Sequence, residues 1–383
     1  MKVEDIESFT KKMDILDVWF DSSLTWDIVL NESEKKNILM IEGIDQARGW
    51  FQSIILTSTA LGKSLPASKI IAHGHITDKT GEKLSKSNTF NISEIIEQAK
   101  IDSNTNPDVL RFLSLSSDFT KTKELHEQSL TDSKNKLHKI RKVLQFMANT
   151  LYKNKAPNNC EINDFRLLYA LNKTNELILT TDSFYSQEKF FMILSDSYNF
   201  LRSIGSSFLI NSTKRDLTYG TLDIQNRILF TYKYITSALC QILYPIIPLT
   251  IREIREYMKM GDHEFNYTWP APLDFRISKS LKDDMDLAFQ EINSLYLPEA
   301  KKFETDSNIN TLEAIIEISN VKLKQFSEIY LTERVMQEII NCSKVSYEVM
   351  NGDQPKIKFN ISDKFQCTRC CLHTADSPVS MCN

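Results

Sequence analysis

The hydrophobic period of the chain changes near residue 120, and this change restricts the fold more than any other sequence feature. Residues 37–42 and 69–77 are short apolar runs that predict strands, and Ala47–Leu61 between them has amphipathic helical spacing. After about residue 120 the strand signals vanish, and apolar residues recur at steps of three and four, most clearly from Ile228 to Ile242. The pattern predicts an α/β region followed by an all-α domain.

The length of 383 residues predicts two or three domains. Residues 1–120 form the predicted α/β domain and residues 121–275 the helical domain. Residues 276–363 mix helical and alternating stretches, which indicates a small α/β appendage, and residues 364–383 form a cysteine-rich tail.

Local signals add detail to the helical domain. Pro245 and Pro248 are expected to end or kink the helix that contains Ile242, and Thr250 with Glu253 has the spacing of a capping box. The segment NYTWPAP, residues 266–272, is typical of a linker.

Composition excludes some classes of protein. The 42% hydrophobic and 25% charged residues argue against extensive disorder. The first twelve residues lack the apolar core of a signal peptide, and no apolar run reaches the ~18–20 residues of a membrane span. We therefore expect a cytoplasmic protein without a membrane partner.

A basic stretch lies within this nearly neutral chain. Between Lys121 and Lys155 there are nine Lys and Arg against three acids, whereas the whole chain has a net charge of -4. One interpretation is a solvated helix surface. The other is a set of phosphate contacts to nucleic acid, with these candidates: Lys134, Lys136, Lys139, Arg141 and Lys142.

The segment GEKLSKS, Gly81–Ser87, is the first specific sign of chemistry. Lys83 and Lys86 flank Ser85 on a glycine-led loop, a pattern that can close over a triphosphate and balance its charge as pyrophosphate leaves. A solvated turn is the alternative interpretation.

Three blocks in order resemble one family. GEKLSKS is similar to the KMSKS signature of class I aminoacyl-tRNA synthetases, EGIDQARGWFQS (residues 42–53) to the isoleucyl enzymes' EGSDQHRGWFQS, and DVWFDSS (residues 17–23) to DVWFDSG. The chain thus resembles the C-terminal portion of a bacterial-type isoleucyl-tRNA synthetase. The resemblance implies a partial Rossmann-like catalytic half-domain, an anticodon-binding helical bundle and the α/β appendage. YPIIP, residues 244–248, is similar to the APILP of that bundle.

The family assigns roles by position. Lys83, Ser85 and Lys86 match its catalytic loop, which binds ATP with Mg²⁺. The substrate-binding positions, for isoleucine and its adenylate, are these: Glu42, Gly43, Asp45, Gln46 and His73. His73 is equally well explained as a strand-end histidine. The other implied partner is tRNA(Ile).

Departures from the family pattern bear on activity. Ala47 replaces a common histidine, Ile44 a small residue and Ser23 a glycine, and no HIGH-type motif is present. One hypothesis is a ligase fragment that needs a separate N-terminal half with the HIGH motif and the editing domain. The alternative is a non-catalytic tRNA-binding remnant. The isolated chain is expected to be inactive.

The cysteines at the end resemble the family's zinc module. Cys367 and Cys370 form a C-x-x-C pair, and Cys382 matches the start of a second pair, with His373 as a substitute ligand. Paired thiolates suit tetrahedral Zn²⁺. The site is incomplete, so a metal-free tail is the competing expectation.

Overall fold

A computed structural model describes most of the chain between residues 10 and 258 and shorter stretches beyond it. The described ranges are 10–30, 38–78, 81–84, 107–258, 268–275, 282–287, 289–290, 294, 312–318, 333–340, 342, 344–349, 356–362, 365–366 and 373–375. The chain divides into two units. Residues 1–102 and 118–129 form the α/β unit, and residues 103–117 and 130–383 form the helical unit.

The α/β unit is built on a parallel pair of strands. Its elements are α1 (Val18–Val29), β1 (Ile38–Gly43), a 3₁₀ helix (Ile44–Arg48), α2 (Trp50–Ala60), β2 (Ala67–His73), β3 (Ile76–Thr77) and β4 (Lys123–Glu124). β1 pairs with β2 and β3 with β4, both in parallel. Met40 of β1 packs on Phe51 and Ile54 of α2, all buried. This confirms the strand, loop and helix expected between residues 37 and 61.

The strand expected over residues 69–77 is broken in two at Gly74. A Cβ atom at Gly74 would lie 2.2 Å from the carbonyl carbon of Lys121, so only glycine fits here. The Gly74 N–H donates to the Phe119 carbonyl at 2.9 Å. The backbone of residues 119–122 therefore meets the chain at this point, and β4 then pairs with β3.

The helical unit contains the long amphipathic elements that the periodicity predicted. They are α3 (Asp108–Ser114), α4 (Glu127–Lys153, of which residues 127–129 belong to the α/β unit), α5 (Phe165–Ser186), α6 (Phe190–Phe200), a π-helix (Leu201–Ile210), α7 (Asn211–Tyr219), α8 (Leu222–Leu243) and α9 (Pro248–Tyr257). The predicted stripe on α8 is fully buried: Ile228, Tyr232, Ile235, Leu239 and Ile242.

A buried ion cluster joins α5 to α7. The Arg166 guanidinium contacts Asp164 at 2.7 Å and Asp216 at 2.8 Å, and its side chain is only 5% exposed. Burial disfavours the charged guanidinium, but both carboxylates favour it and raise the pKa of Arg166 above its ordinary value. Thr213 of α7 also hydrogen-bonds the hydroxyl of Tyr232 at 2.8 Å.

The start of α9 differs from the expected capping box. α8 ends at Leu243 and Pro248 is the first residue of α9, as the prolines predicted. No capping hydrogen bond from a neighbouring side chain is made, however. Asp108 of α3 accepts from the Thr250 N–H at 2.7 Å, and Glu253 instead binds Arg141. A carboxylate distant in sequence thus satisfies a free N–H of the helix start.

The expected linker is attached to the bundle where it is described. The ring of Trp269 meets that of Tyr185 with centroids 5.2 Å apart. Asn175 exchanges hydrogen bonds with the backbone of Leu273, at 2.9 and 3.0 Å, and Tyr234 donates to the Ala271 carbonyl. Residues 268–275 therefore form a strap along α5 and α8, because their backbone groups find partners there.

The appendage predicted from alternating residues is a small mixed sheet. Its elements are β5 (Leu312–Ile318), α10 (Glu333–Ile340), β6 (Lys344–Val349) and β7 (Lys356–Ile361), with β5 between a parallel β6 and an antiparallel β7. β8 (Phe365–Gln366) and β9 (His373–Ala375) form a separate antiparallel pair.

The boundary near residue 120 is more complex than a single break. Residues 103–117 group with the helical unit and residues 118–129 with the α/β unit. α3 is held in the helical unit by Asp108 and by Arg111, which donates to the carbonyls of Pro245 and Ile246 at 2.9 Å each. No described helix is long and apolar enough to cross a membrane.

Candidate active site and nucleic-acid interface

The ends of β1 and β2 bring the first group of predicted residues together. The parallel register places Glu42 beside Ala72 and Gly43 beside His73, so both strands end at one edge. Ligands bind at this edge in open parallel sheets. The half-buried Glu42 accepts from the Gly43 N–H at 3.3 Å, and the Nδ1 atom of His73 lies 2.8 Å from the Gly74 carbonyl oxygen.

Gly43 allows the chain to turn closely at this edge. A Cβ atom there would lie 2.4 Å from Oδ1 of Asp45 and 3.2 Å from Cε1 of His75. Any side chain at this position would displace the Asp45 carboxylate. Because Gly43 has no side chain, the Asp45 carboxylate can occupy this space.

Asp45 is the electrostatic centre of the group. Its carboxylate lies 3.4 Å from Nε2 of His75 and 3.6 Å from Nζ of Lys83. Desolvation raises the pKa of Asp45, but its backbone hydrogen bond and the charges of Lys83 and His75 outweigh that effect and leave the pKa below its ordinary value. The carboxylate is about half exposed, so it stays ionised and open to a ligand.

Lys83 reaches this edge on a short hairpin. Asp78 starts the turn by accepting from the Glu82 N–H at 3.0 Å, and Gly81 takes the positive φ of 83° that the turn requires. Leu84 then donates to the Ile76 carbonyl at 3.0 Å.

Gln46 has a different role from its neighbours. Its Oε1 atom accepts from the Trp50 N–H at 3.0 Å, so the side chain caps the start of α2. Its Nε2 atom lies 3.4 Å from Oδ2 of Asp45. Gln46 thus fixes the turn that presents Asp45.

His75 was not predicted from the sequence. It follows Gly74 in the triplet HGH, and its only sequence signal was a second histidine beside the family's His-Gly pair. In the structure His75 contacts Asp45, whereas His73 contacts only a backbone carbonyl among the groups just described.

Several predicted residues lie outside the described part of the chain. They are Ser85, Lys86, Cys367, Cys370 and Cys382. Among the described residues no group of three or more His, Cys, Asp or Glu could hold a metal ion.

The predicted basic residues of the helical unit are on α4. Lys136, Lys139 and Lys142 are exposed, and Lys134 is half-buried. Desolvation, followed by the charges of Lys142, Arg141 and Lys134, lowers the pKa of His138. Lys142, Arg141 and Lys134 thus place positive charge around His138.

Arg141 is placed differently from the four lysines. Its guanidinium makes a bidentate pair with Glu253 of α9, at 2.8 and 2.6 Å. Hydrogen bonding to Glu253 raises the pKa of Arg141 despite partial burial. Arg141 therefore joins α4 to α9 through this ion pair, unlike the exposed lysines of α4.

Two family models match successive parts of the chain. The model for class I tRNA synthetases (I, L, M and V) matches residues 2–126, and the model for the anticodon-binding domain of tRNA ligases matches residues 168–331. The chain belongs to the class I tRNA synthetases. The expected order of a catalytic region followed by a helical anticodon-binding region is confirmed.

Relatives of this synthetase chain are isoleucine–tRNA ligases. The enzyme of Lactococcus lactis is 32% identical over 69% of this chain and 29% of its own length. That of Campylobacter curvus is 28% identical over 99% of this chain and 42% of its own length. The chain spans less than half the length of these relatives.

Solved synthetases share the fold. A leucyl-tRNA synthetase from Agrobacterium radiobacter, in a ternary complex with tRNA and LeuAMS, matches with a TM-score of 0.50 at 14% identity, over 76% of this chain and 39% of that chain. The methionyl-tRNA synthetase of Mycobacterium tuberculosis with methionyl-adenylate matches with a TM-score of 0.51 at 17% identity, over 64% and 51%.

The synthetase blocks also contain the departures seen in the sequence. Ser23 is fully buried in α1, and its hydroxyl donates to the Phe20 carbonyl at 2.7 Å, so the replacement of glycine is accommodated. The side chain of Ile44 is 54% exposed. Ala47 is exposed on the 3₁₀ helix, where its methyl group offers no polar atom.

Proposed function

We propose that the chain is the part of an isoleucine–tRNA ligase that holds the aminoacyl-adenylate and the tRNA. Support comes from the EGIDQARGWFQS block and from relatives that are isoleucine–tRNA ligases. The complete reaction couples isoleucine, ATP and tRNA(Ile) to give isoleucyl-tRNA, AMP and pyrophosphate. A separate N-terminal half with a HIGH motif and an editing domain would supply the remaining groups.

The approach of Lys83 to Asp45 supports the catalytic part of this proposal. It brings Lys83 to the edge where β1 ends at Glu42 and Gly43 and where Asp45 follows in the 3₁₀ helix. The Asp45 and Glu42 carboxylates can accept hydrogen bonds from the ammonium or hydroxyl groups of an aminoacyl-adenylate. Lys83, with Ser85 and Lys86, would offset the charge that develops on the phosphates of ATP, which binds with Mg²⁺.

Lys134, Lys136, Lys139 and Lys142 are the proposed phosphate contacts to tRNA. Zinc at Cys367, Cys370 and Cys382 remains a proposal from the chemistry of paired thiolates. A cytoplasmic location also remains a proposal.

A second candidate function is tRNA binding without catalysis. Ala47 favours it, because the replaced histidine of the family could donate or accept a proton and a methyl group cannot. The two functions share the helical unit and differ only in whether the β1 edge takes part in adenylation.

Isoleucine-dependent ATP–pyrophosphate exchange separates the two functions. The full chain is assayed alone and mixed with the N-terminal half of the Lactococcus lactis enzyme, while tRNA(Ile) binding is measured on the chain alone. We expect exchange only in the mixture, and a loss of about 10²-fold or more in Lys83→Met, since a charge-stabilising donor is removed. Lys69→Met, on exposed β2, is the matched control.

The outcomes are distinct. Exchange that is lost in Lys83→Met but kept in Lys69→Met supports the ligase. Binding of tRNA without exchange in any mixture favours the non-catalytic module. Absence of both activities contradicts both functions.

A further inference from the structure

A pocket lies in the helical unit between α4 and the junction of α6 with the π-helix. It encloses about 270 Å³, just below the ~300–1,000 Å³ of small-molecule sites. Its polar lining consists of Lys139, Lys142, Arg202, Tyr198, Ser206 and Ser207. Such a volume suits one flat ring with its attached groups rather than a folded polymer.

The charge of the pocket is unbalanced. Lys139, Lys142 and Arg202 are exposed at its rim, and none of its described lining residues is acidic. Two other arginines of this unit pair with carboxylates: Arg141 with Glu253 and Arg166 with Asp164. Three cations around one concavity with no acidic lining residue favour an anionic ligand.

The π-helix accounts for the position of Arg202. Its turns are wider than those of an α-helix, so side chains four and five residues apart lie on one side, and Ser206 and Ser207 therefore line the same pocket. The Ser207 hydroxyl donates to the Arg202 carbonyl at 3.0 Å, which follows this five-residue repeat. Short π-helical segments occur frequently at functional sites.

The pocket also offers an aromatic and apolar surface. Tyr198 lines it, and the ammonium of Lys136 lies 5.9 Å from the centroid of the same ring. Ile140 and Leu201 are buried beside it, and Val143 is half-buried. A ligand with a negative group and an apolar ring matches these surfaces, and an unstacked nucleotide has both.

We infer that this pocket binds one unstacked nucleotide of RNA. The phosphate contacts Arg202, Lys139 and Lys142, and the base packs against Tyr198. The inference rests on the proposed tRNA-binding function and deepens it, since it adds Arg202 and Tyr198 to the lysines of α4. Ser206 offers a hydroxyl donor to the same phosphate or its ribose.

Binding of RNA to the full chain tests the inference. The dissociation constant for the anticodon stem-loop of tRNA(Ile) is measured across salt concentrations for the wild type, Arg202→Gln, Tyr198→Leu and Lys153→Gln. Lys153 is an exposed lysine of α4 that does not line the pocket. Inorganic polyphosphate is the probe without bases, and thermal unfolding verifies that each variant is folded.

The expected result differs between the variants. Arg202→Gln weakens stem-loop binding about tenfold and lowers the salt slope by about one, because one phosphate contact is lost. Tyr198→Leu weakens stem-loop binding by a similar factor but leaves polyphosphate binding unchanged. Lys153→Gln changes binding less than about twofold, because the lost charge lies outside the pocket.

Other results would overturn the inference in separable ways. If the wild type binds the stem-loop and all three variants bind equally, the pocket is not the site, while the proposed tRNA-binding function stands. If Tyr198→Leu weakens polyphosphate binding as much as stem-loop binding, no base occupies the pocket. If the wild type binds no RNA at low salt, the inference and the proposed function both fail.

Discussion

The two units stabilise their functional side chains in different ways. In the α/β unit, Asp45 and Lys83 are each about half exposed and meet at 3.6 Å, next to a small core of Met40, Phe51 and Ile54. In the helical unit, the side chains of the Arg166–Asp216 pair are nearly buried, and the surrounding helices contain many fully buried apolar residues. Contacts between exposed charges are weak and sensitive to salt, whereas buried pairs are costly to break.

This difference suggests a division of tasks. An exposed carboxylate and an exposed lysine can replace each other with the charged groups of a ligand at little cost. A buried charge cluster cannot exchange partners and therefore specifies a fixed scaffold. The helical unit has the features of a rigid binding surface, and the β1 edge has those of an adjustable site.

Arg166→Met should have the largest effect on stability. It leaves the carboxylates of Asp164 and Asp216 without their buried cation, and we expect a loss of about 3–5 kcal/mol in the free energy of unfolding of the helical unit. Urea unfolding followed by circular dichroism measures it. Arg252→Met is the control, since Arg252 and Glu256 are each more than 70% exposed. Equal losses in the two variants would contradict the larger effect expected for a buried ion pair than for an exposed one.

Gly74→Ala should have the next largest effect on stability. Its Cβ atom would lie within 2.5 Å of three backbone atoms of residues 121 and 122, which cannot rotate away, so we expect a loss of about 1–3 kcal/mol in the α/β unit. Hydrogen exchange of β3 amides measures it. Gly205→Ala in the π-helix is the control, because its nearest contacts are side-chain atoms at 3.4 Å. Tolerance of alanine at Gly74 would contradict the observed close approach.

Arg141→Met should have a smaller effect on stability. The pair with Glu253 is bidentate but partly exposed, with 43% and 27% of the two side chains accessible, so we expect a loss of about 1 kcal/mol. Affinity for the anticodon stem-loop should stay unchanged. Urea unfolding and the binding assay measure the two quantities. Weaker RNA binding with unchanged stability would instead place Arg141 in contact with RNA.

Glu176→Gln should have the smallest effect on stability, and this effect should appear mainly in the way stability depends on pH. Burial raises the pKa of Glu176, but hydrogen bonds from Lys282 and Lys173 outweigh it and lower the pKa below 4.5. The ion pairs therefore stabilise the fold above that pH and are lost as pH falls through the folded-state pKa. Below about pH 4.5, the stability of the variant should decrease less steeply than that of the wild type. The difference in the free energy of unfolding should be less than ~1 kcal/mol. An unchanged pH profile would contradict this assignment.

Local patterns predicted the elements well. The three- and four-residue steps from Ile228 to Ile242 predicted a helix face that is fully buried, and the apolar run before Glu42 predicted β1. The similarity of the block from Glu42 to Ser53 placed Asp45 in the site, and the structure brings Asp45 within 3.6 Å of Lys83. Such features depend on residues close in sequence, so spacing reveals them.

Contacts between distant residues could not be predicted in the same way. Asp108 satisfies an N–H of Thr250, and Lys121 approaches Gly74, although neither pair has a shared local pattern. Arg202 was missed because α-helical spacing does not reveal the wider π-helical turn that aligns it with Ser207, five residues later. His75 was missed because its partner, Asp45, lies in the 3₁₀ helix that follows another strand.

The alternating assignment of residues 103–129 has a consequence for how such genes recombine. A crossover at codon 120 would appear to separate the two units, but it would transfer the helical unit without α3 and so without the Asp108 carboxylate at the start of α9. It would also split residues 118–119 from β4. A hybrid that keeps both units intact must take residues 103–117 from the same parent as residues 130–383, and residues 118–129 from the same parent as residues 1–102.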